Sequence, residues 1–157
     1  VEPDILVIGK GLGGGLPIGA FCSSRKMMKK FEYKPSLGHI STFGGNPVIA
    51  SAGLSVLETL EHEKILEKIK EKEKLIRSLL KHKKIKSING TGLMLAIILE
   101  SKSDAEKLVK GSMGRGLILF YLLWNKLAVR ITPPLNISDS DLIKGCKIIL
   151  KILDEMV

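Results

Sequence analysis

The feature that most constrains the fold is Lys10, a lysine between a short apolar run and a glycine-rich segment. Residues 5–8, with the sequence ILVI, are typical of a buried β-strand. We therefore expect the Lys10 amine to lie inside the protein, at the end of that strand. A buried lysine is costly unless its charge is removed or used, most often in a phosphate contact or a Schiff base.

The glycine-rich segment after the strand has no regular pattern and is expected to be a loop. Residues 9–20 read GKGLGGGLPIGA, in which the glycines let backbone approach a ligand or another chain closely. Gly9, Gly11 and Gly14 formally match the dinucleotide-binding fingerprint, but Pro17 follows where a helix should begin. Lys10 also lacks the glycine spacing and the following Ser or Thr of a Walker loop. The alternative to a functional Lys10 is a lysine that extends from the strand end into solvent and has no chemical role.

Composition predicts a globular protein without a metal centre. Of the 157 residues, 45% are hydrophobic and 26% are charged, which suits one domain or two small lobes. The longest apolar run, residues 117–124, is far shorter than the roughly 20 residues of a membrane span. No signal-peptide pattern begins the sequence.

Cys22 and Cys146 have no metal or redox spacing, so we expect a reducing cytoplasm. No chemical partner is predicted for His39, His62 or His82.

The net charge of +9 is concentrated in one segment. Residues 61–86 contain nine lysines and Arg77 against five glutamates. Glutamates alternate with these lysines at helical spacing, and no aromatic residue is interspersed. This pattern favours an exposed helix face over a nucleic-acid binding patch.

Local patterns predict a mixed order of helices and strands. Asn46 and Pro47 have the cap and first-turn positions of a helix, and Ser138 with Asp141 forms a capping box. Further helices are predicted at 26–31, about 63–82 and 104–112. Strands are predicted at 85–88, 93–100, 117–124 and 128–131, with a turn at 89–92. The C-terminal half is therefore expected to be α+β with its own core.

Three stretches carry a resemblance to a known family. They are VEPDILVIGKGLGGGLPIGA at 1–20, STFGGNP at 41–47 and AVRITPPLNIS at 128–138. In this order and spacing they resemble the class III pyridoxal-phosphate-dependent aminotransferases, the acetylornithine, ornithine and 4-aminobutyrate group. The resemblance implies a fragment of a fold-type I transferase with α/β and α+β parts. Residues 1–60 would end the large cofactor-binding domain, and 61–157 would form the small C-terminal α+β domain.

The same resemblance implies roles for four residues. Lys10 would be catalytic and form the internal aldimine with pyridoxal 5′-phosphate. Thr42 would bind the cofactor phosphate of a partner subunit, with Ser41 a weaker candidate. Arg130 would bind a substrate carboxylate or pair with a gating glutamate. Without the resemblance, Thr42 could simply order the turn before Asn46, and Arg130 could form a salt bridge at a sheet end.

The implied activity is transfer of an amino group from an ω-amino or ornithine-like donor to a 2-oxo acid such as 2-oxoglutarate. The enzyme would be a cytoplasmic homodimer, with Gly13 to Gly15 and Thr42 near the interface. The chain resembles only the C-terminal half of such an enzyme, so by itself it is expected to be inactive. An aminomutase or racemase of the same class, or a non-catalytic α+β interaction module, are the alternatives.

Overall fold

A computed structural model describes residues 1–34 and 40–156. The chain forms two compact units, Val1–Lys64 and Ile65–Val157. His39, for which we predicted no chemical role, lies outside the described residues. Each unit is described by itself below.

The first unit combines a β-hairpin with a long helix. Strand β1, Ile5–Gly9, pairs antiparallel with β2, Gly19–Ser23. Between them lies a short 3-10 helix, Lys10–Gly13, which we call the lysine turn. The remaining elements are α1, Arg25–Met28, a 3-10 helix at Lys29–Glu32, and α2, Pro47–His62.

The prediction that the first strand is buried is wrong for the described chain. Leu6 is 50% exposed and Val7 is 77% exposed. A two-stranded hairpin leaves its faces open to solvent unless another layer packs on them. The structure also adds β2, where no strand was expected: Gly19–Ser23 pairs along the whole of β1, and its first two residues belong to the predicted loop.

Helix α2 begins where the sequence predicts. The side chain of Asn46 accepts hydrogen bonds from the backbone N–H groups of Val48 at 3.0 Å and Ile49 at 3.2 Å. Pro47 occupies the first turn, where its missing N–H costs nothing. The predicted helix start is confirmed.

The second unit is a four-stranded antiparallel sheet with three helices packed on one face. The strand order is β3-β4-β6-β5. The strands are β3 at Ile85–Thr91, β4 at Met94–Leu99, β5 at Phe120–Tyr121 and β6 at Ala128–Ile131. The helices are α3 at Ile65–Leu79, α4 at Lys102–Met113 and α5 at Asp139–Asp154.

The core of this unit lies between the sheet and the helices. Alternate strand residues such as Leu95, Ile97 and Val129 are at most 1% exposed and pack against Leu108 and Leu153 of the helices. Strand residues of the other parity form the opposite face, which we call the open face. Met94 is 74% exposed there, whereas the small side chains of Ala96 and Ala128 are at most 8% exposed. In the part of the chain that the structure describes, no helix combines the length and apolar character needed to cross a membrane.

Two predicted boundaries in this unit are wrong. The strand expected at 117–124 is reduced to Phe120–Tyr121, because only these residues pair with β6. The turn expected at 89–92 lies later, since β3 continues to Thr91 and pairs with Met94. The Ser138 cap of α5 is confirmed, with the Asp141 N–H donating to the Ser138 hydroxyl at 3.1 Å.

Candidate functional site

Lys10 begins the turn that joins β1 to the glycine-rich segment. Its backbone is left-handed, with φ of +48°, a conformation unusual for a residue with a side chain. The residue is exposed, and among the described residues its amine has no hydrogen bond or ion pair. The expectation that this amine lies inside the protein is therefore wrong for the described chain, since the hairpin that carries it is itself open.

Helix α2 supports the lysine turn through a glycine. A side-chain carbon at Gly53 would lie 3.2 Å from Cδ1 of Ile18 and 3.5 Å from the carbonyl oxygen of Leu12. Leu12 belongs to the lysine turn, so the absence of a side chain at Gly53 permits close approach of helix and turn. Gly53 thus permits the contact by which α2 supports the element that carries Lys10.

Ser41 and Thr42 lie in a turn just before α2. The Gly44 N–H donates to the carbonyl of Ser41 at 3.2 Å, and the Asn46 N–H donates to the carbonyl of Phe43 at 3.2 Å. Both hydroxyl-bearing residues are exposed, and within the described chain neither side chain donates or accepts a hydrogen bond. Hydroxyls beside glycine amides are chemically suited to a phosphate dianion.

Lys10 and Thr42 approach α2 at different levels. The lysine turn contacts α2 around Gly53, which is six residues after Pro47, or about 9 Å along the helix axis. Thr42 precedes the helix start. Within the described residues the structure records no hydrogen bond between the two side chains.

Arg130 belongs to the second unit and lies on the open face of its sheet. The residue is exposed in the middle of β6. Its guanidinium carbon lies 5.3 Å from the centroid of the Phe120 ring, within the range of a cation–π contact. Among the described residues Arg130 has no carboxylate partner, so the alternative of a salt bridge at the sheet end finds no support there.

Sequence reasoning missed Phe120. It was part of an apolar run assigned to a single long strand, and it belongs to no recognised motif. The pairing follows from the β5–β6 register, in which Phe120 and Arg130 are partners. The predicted turn at Asn125 and Lys126 could have revealed this pairing, because residues at equal distances on either side of a hairpin turn lie opposite each other.

The described residues offer no candidate metal centre, because no three His, Cys, Asp or Glu side chains among them are grouped to hold an ion.

Comparison with known proteins gives consistent matches along the chain. The family model for class-III aminotransferases matches residues 1–153. An acetylornithine aminotransferase of Caldanaerobacter subterraneus is 36% identical over 99% of this chain, which spans 39% of that relative's length. The chain thus spans well under half the length of this relative.

Solved structures show the same fold. The acetylornithine aminotransferase of Elizabethkingia anophelis has a TM-score of 0.85 at 32% identity, over 99% of this chain and 42% of its own. An ornithine aminotransferase of Toxoplasma gondii, solved with partial occupancy of pyridoxal phosphate at its active site, has a TM-score of 0.84 at 31% identity. That match covers 97% of this chain and 37% of the other. The family resemblance and the fold class predicted from three short motifs are confirmed.

Proposed function

This chain belongs to the class-III aminotransferase family, and we propose that it forms part of an enzyme that moves an amino group from an ω-amino or ornithine-like donor to a 2-oxo acid such as 2-oxoglutarate. The observation that carries the proposal is the free amine of Lys10 on a turn held by α2. The similarity to acetylornithine and ornithine aminotransferases supports the donor class.

The residues present suit pyridoxal 5′-phosphate, the cofactor on which this family depends. The group has an aldehyde, which needs a reactive amine, and a phosphate, which needs hydroxyl and amide donors. Lys10 offers an amine without a partner in the described chain, and Ser41 and Thr42 offer hydroxyls without one. When bound, the cofactor supplies an electron sink for the substrate carbon.

Lys10 would hold the cofactor covalently through its amine and later move a proton at the substrate carbon. A lysine suits both tasks because its neutral amine is a nucleophile and a base. The left-handed backbone at Lys10 keeps the residue at the start of the turn, where its side chain is exposed. Thr42, with Ser41 as a weaker candidate, would bind the phosphate in a partner subunit.

Arg130 would bind the carboxylate of a substrate. Its planar fork can donate two parallel hydrogen bonds to a carboxylate, and no described residue uses those donors. Pairing with a gating glutamate supplied by another part of the enzyme is the second role open to it.

The proposed enzyme is a cytoplasmic homodimer in which this chain ends the large domain with residues 1–60 and supplies the small domain with residues 61–157. Gly13 to Gly15 and Thr42 would lie near the subunit interface. Phe43, next to Thr42 in the sequence, is 78% exposed, which supports a partner surface near Thr42. The parts that complete the cofactor site would come from the rest of the enzyme.

The proposal is tested in the complete enzyme with Lys10→Ala and a matched variant, Lys64→Ala. Both lysines have left-handed backbones, with φ of +48° and +50°. We expect Lys10→Ala to lower amino transfer from ornithine or N-acetylornithine to 2-oxoglutarate by about a hundredfold or more, and Lys64→Ala to leave it unchanged. Borohydride reduction should fix the cofactor on the Lys10 peptide, as mass spectrometry would show. Full activity of Lys10→Ala would refute the proposal.

The chain alone is expected to be inactive. Mixed with pyridoxal phosphate, the purified chain should give neither a stable absorbance band of lysine-bound cofactor nor amino transfer. A stable band together with turnover would show that the chain needs no further part of the enzyme.

A further inference from the structure

Arg130 lies in a row of four residues that crosses the open face of the sheet. The strand registers pair Asn89 with Ala96, Ala96 with Arg130, and Arg130 with Phe120. Directly opposed residues on antiparallel strands share a face, with their Cβ atoms about 4.5 to 5.5 Å apart. Arg130 therefore has two lateral neighbours, Ala96 on β4 and Phe120 on β5.

Of these two neighbours, only Phe120 can support the guanidinium. The side chain of Ala96 is a single methyl group and does not extend to the end of an arginine. The Phe120 ring lies beneath the guanidinium carbon at 5.3 Å. Among the described residues no hydrogen bond or ion pair holds Arg130, so the ring is the one recorded contact that orients its charged end.

A cation–π contact uses none of the hydrogen-bond donors of an arginine. The N–H groups of a guanidinium point outward in its own plane, and among the described residues those of Arg130 have no hydrogen-bond partner. A carboxylate approaches the edge of that plane and accepts two parallel hydrogen bonds. A guanidinium already held against a ring also loses less rotamer freedom when the carboxylate binds.

We propose that Phe120 is a positioning residue that orients Arg130 for a substrate carboxylate. The inference rests on the proposed function of Arg130 and adds a residue to it. Phe120 touches neither the reacting atoms nor the cofactor in this role. Its effect is on the affinity for the carboxylate-bearing substrate, and the rate of the chemical step is unaffected.

Three variants separate this role from general packing. Phe120→Leu removes the ring, Phe120→Tyr keeps it, and Trp124→Leu removes a nearby aromatic residue that is 98% exposed. In the 157-residue chain, NMR of the Arg130 Nε–H should show a ring-current shift. The shift is expected to disappear in Phe120→Leu and to persist in Phe120→Tyr and Trp124→Leu. Its persistence in Phe120→Leu would overturn the inference.

The functional readout is made in the complete enzyme. A cation–π contact at an exposed site corresponds to about a two- to fivefold change in affinity. We expect Phe120→Leu to raise the KM for the 2-oxo acid, and the inhibition constant of glutarate as a carboxylate probe, by that factor with kcat unchanged. Phe120→Tyr and Trp124→Leu should match the wild type. An equal fall in kcat would indicate a merely structural defect and would overturn the inference.

Arg130→Lys distinguishes failure of this inference from failure of the proposed function. If Arg130→Lys raises KM and Phe120→Leu does not, the inference is wrong and the carboxylate role stands. If neither variant changes KM, both are wrong. If the enzyme does not transaminate at all, the affinity for glutarate, measured by calorimetry, still tests the positioning role of Phe120. Weaker binding in both Phe120→Leu and Arg130→Lys, with Phe120→Tyr and Trp124→Leu unchanged, supports the positioning role, and equal binding in Phe120→Leu and the wild type overturns it.

Discussion

The carboxylate of Glu73 in α3 accepts a hydrogen bond from the backbone N–H of Gly92 at 2.6 Å. Arg77, one turn later, donates to Glu73 at 2.9 Å and to the carbonyl oxygens of Ile88 at 2.6 Å and Gly90 at 2.8 Å. One helix thus holds the turn of the β3–β4 hairpin through side chain to backbone bonds. The register of β3 against β4 depends on these contacts as well as on the turn residues themselves.

We predict that Glu73→Gln lowers the free energy of unfolding at neutral pH and that its difference from the wild type becomes smaller in acid. The Gly92 N–H first, and then Arg77, hold the pKa of the Glu73 carboxyl below its ordinary value of 4.5. A carboxyl with a lowered folded-state pKa contributes stability above its unfolded pKa, and that contribution is lost as pH falls through the folded value. Urea unfolding followed by circular dichroism at pH 7 and at pH below 4 would measure the change.

Glu71→Gln is the matched control, since Glu71 is exposed in the interior of the same helix, away from its first turn, and has no recorded partner among the described residues. Its free energy of unfolding should follow the wild type at both pH values. If Glu73→Gln lowers the free energy of unfolding by the same amount at both pH values, the prediction is wrong.

Gly53→Val should weaken the packing of α2 on the lysine turn. A valine there has no room beside Ile18 and the Leu12 carbonyl, and such overpacking costs about 1 to 3 kcal/mol. Hydrogen exchange of the α2 amides would report the loss. Ala50→Val adds the same side chain on an exposed position of α2 and should cost no more than about 0.7 kcal/mol, the limit set by helix propensity. Equal protection in the two variants would show that Gly53 does not need to be small.

Lys10→Gly should be more stable than Lys10→Ala by about 1 kcal/mol. Both variants remove the amine, but only glycine adopts a φ of +48° without strain. Chemical denaturation of the two chains measures the difference. At Lys107, inside α4, the order should reverse because glycine is the poorer helix former. If alanine is the more stable residue at both positions, the left-handed turn at Lys10 is not a source of strain.

The two cysteines should differ sharply in reactivity. Cys22 is exposed and Cys146 is buried, and burial raises the pKa of the Cys146 thiol to about 11. At pH 8, where the thiolate is the reactive form, this shift alone slows alkylation of Cys146 by about a hundredfold. Iodoacetamide labelling of Cys22→Ser and Cys146→Ser chains would compare the two rates. Rapid labelling of Cys146 in the native chain would mean that α5 opens readily.

Features set by neighbouring residues could be predicted from the sequence, and features set by distant contacts could not. The start of α2 at Asn46 and Pro47 depends on a cap within three residues, and it is confirmed. The hairpin turn was placed too early, because the bonds from Glu73 and Arg77 that hold it come from another element. The apolar residues 5–8 were expected to be buried, but a strand's pattern does not tell which layer covers it.

The candidate site shows the same division. Lys10, Ser41, Thr42 and Arg130 were named because they stand in motifs that resemble those of the family, and their roles remain predictions. The exposure of Lys10 was not foreseen, since it depends on what packs on the hairpin. Phe120 carries no motif, and its place beside Arg130 depends on the pairing of β5 with β6.

That pairing sets a rule for how this segment can vary during evolution. Side chains alternate between the two faces of a strand, so a shift of one residue in the β5–β6 register would turn Phe120 toward the core and bring Tyr121 beside Arg130. Substitutions at the exposed tip, Leu123 and Trp124, leave the register intact. Single-residue insertions or deletions between Tyr121 and Ala128 shift the register, unless a change in the turn conformation compensates for them. Among homologues that keep this aromatic and arginine pair, we expect the tip to vary freely in sequence and very little in length.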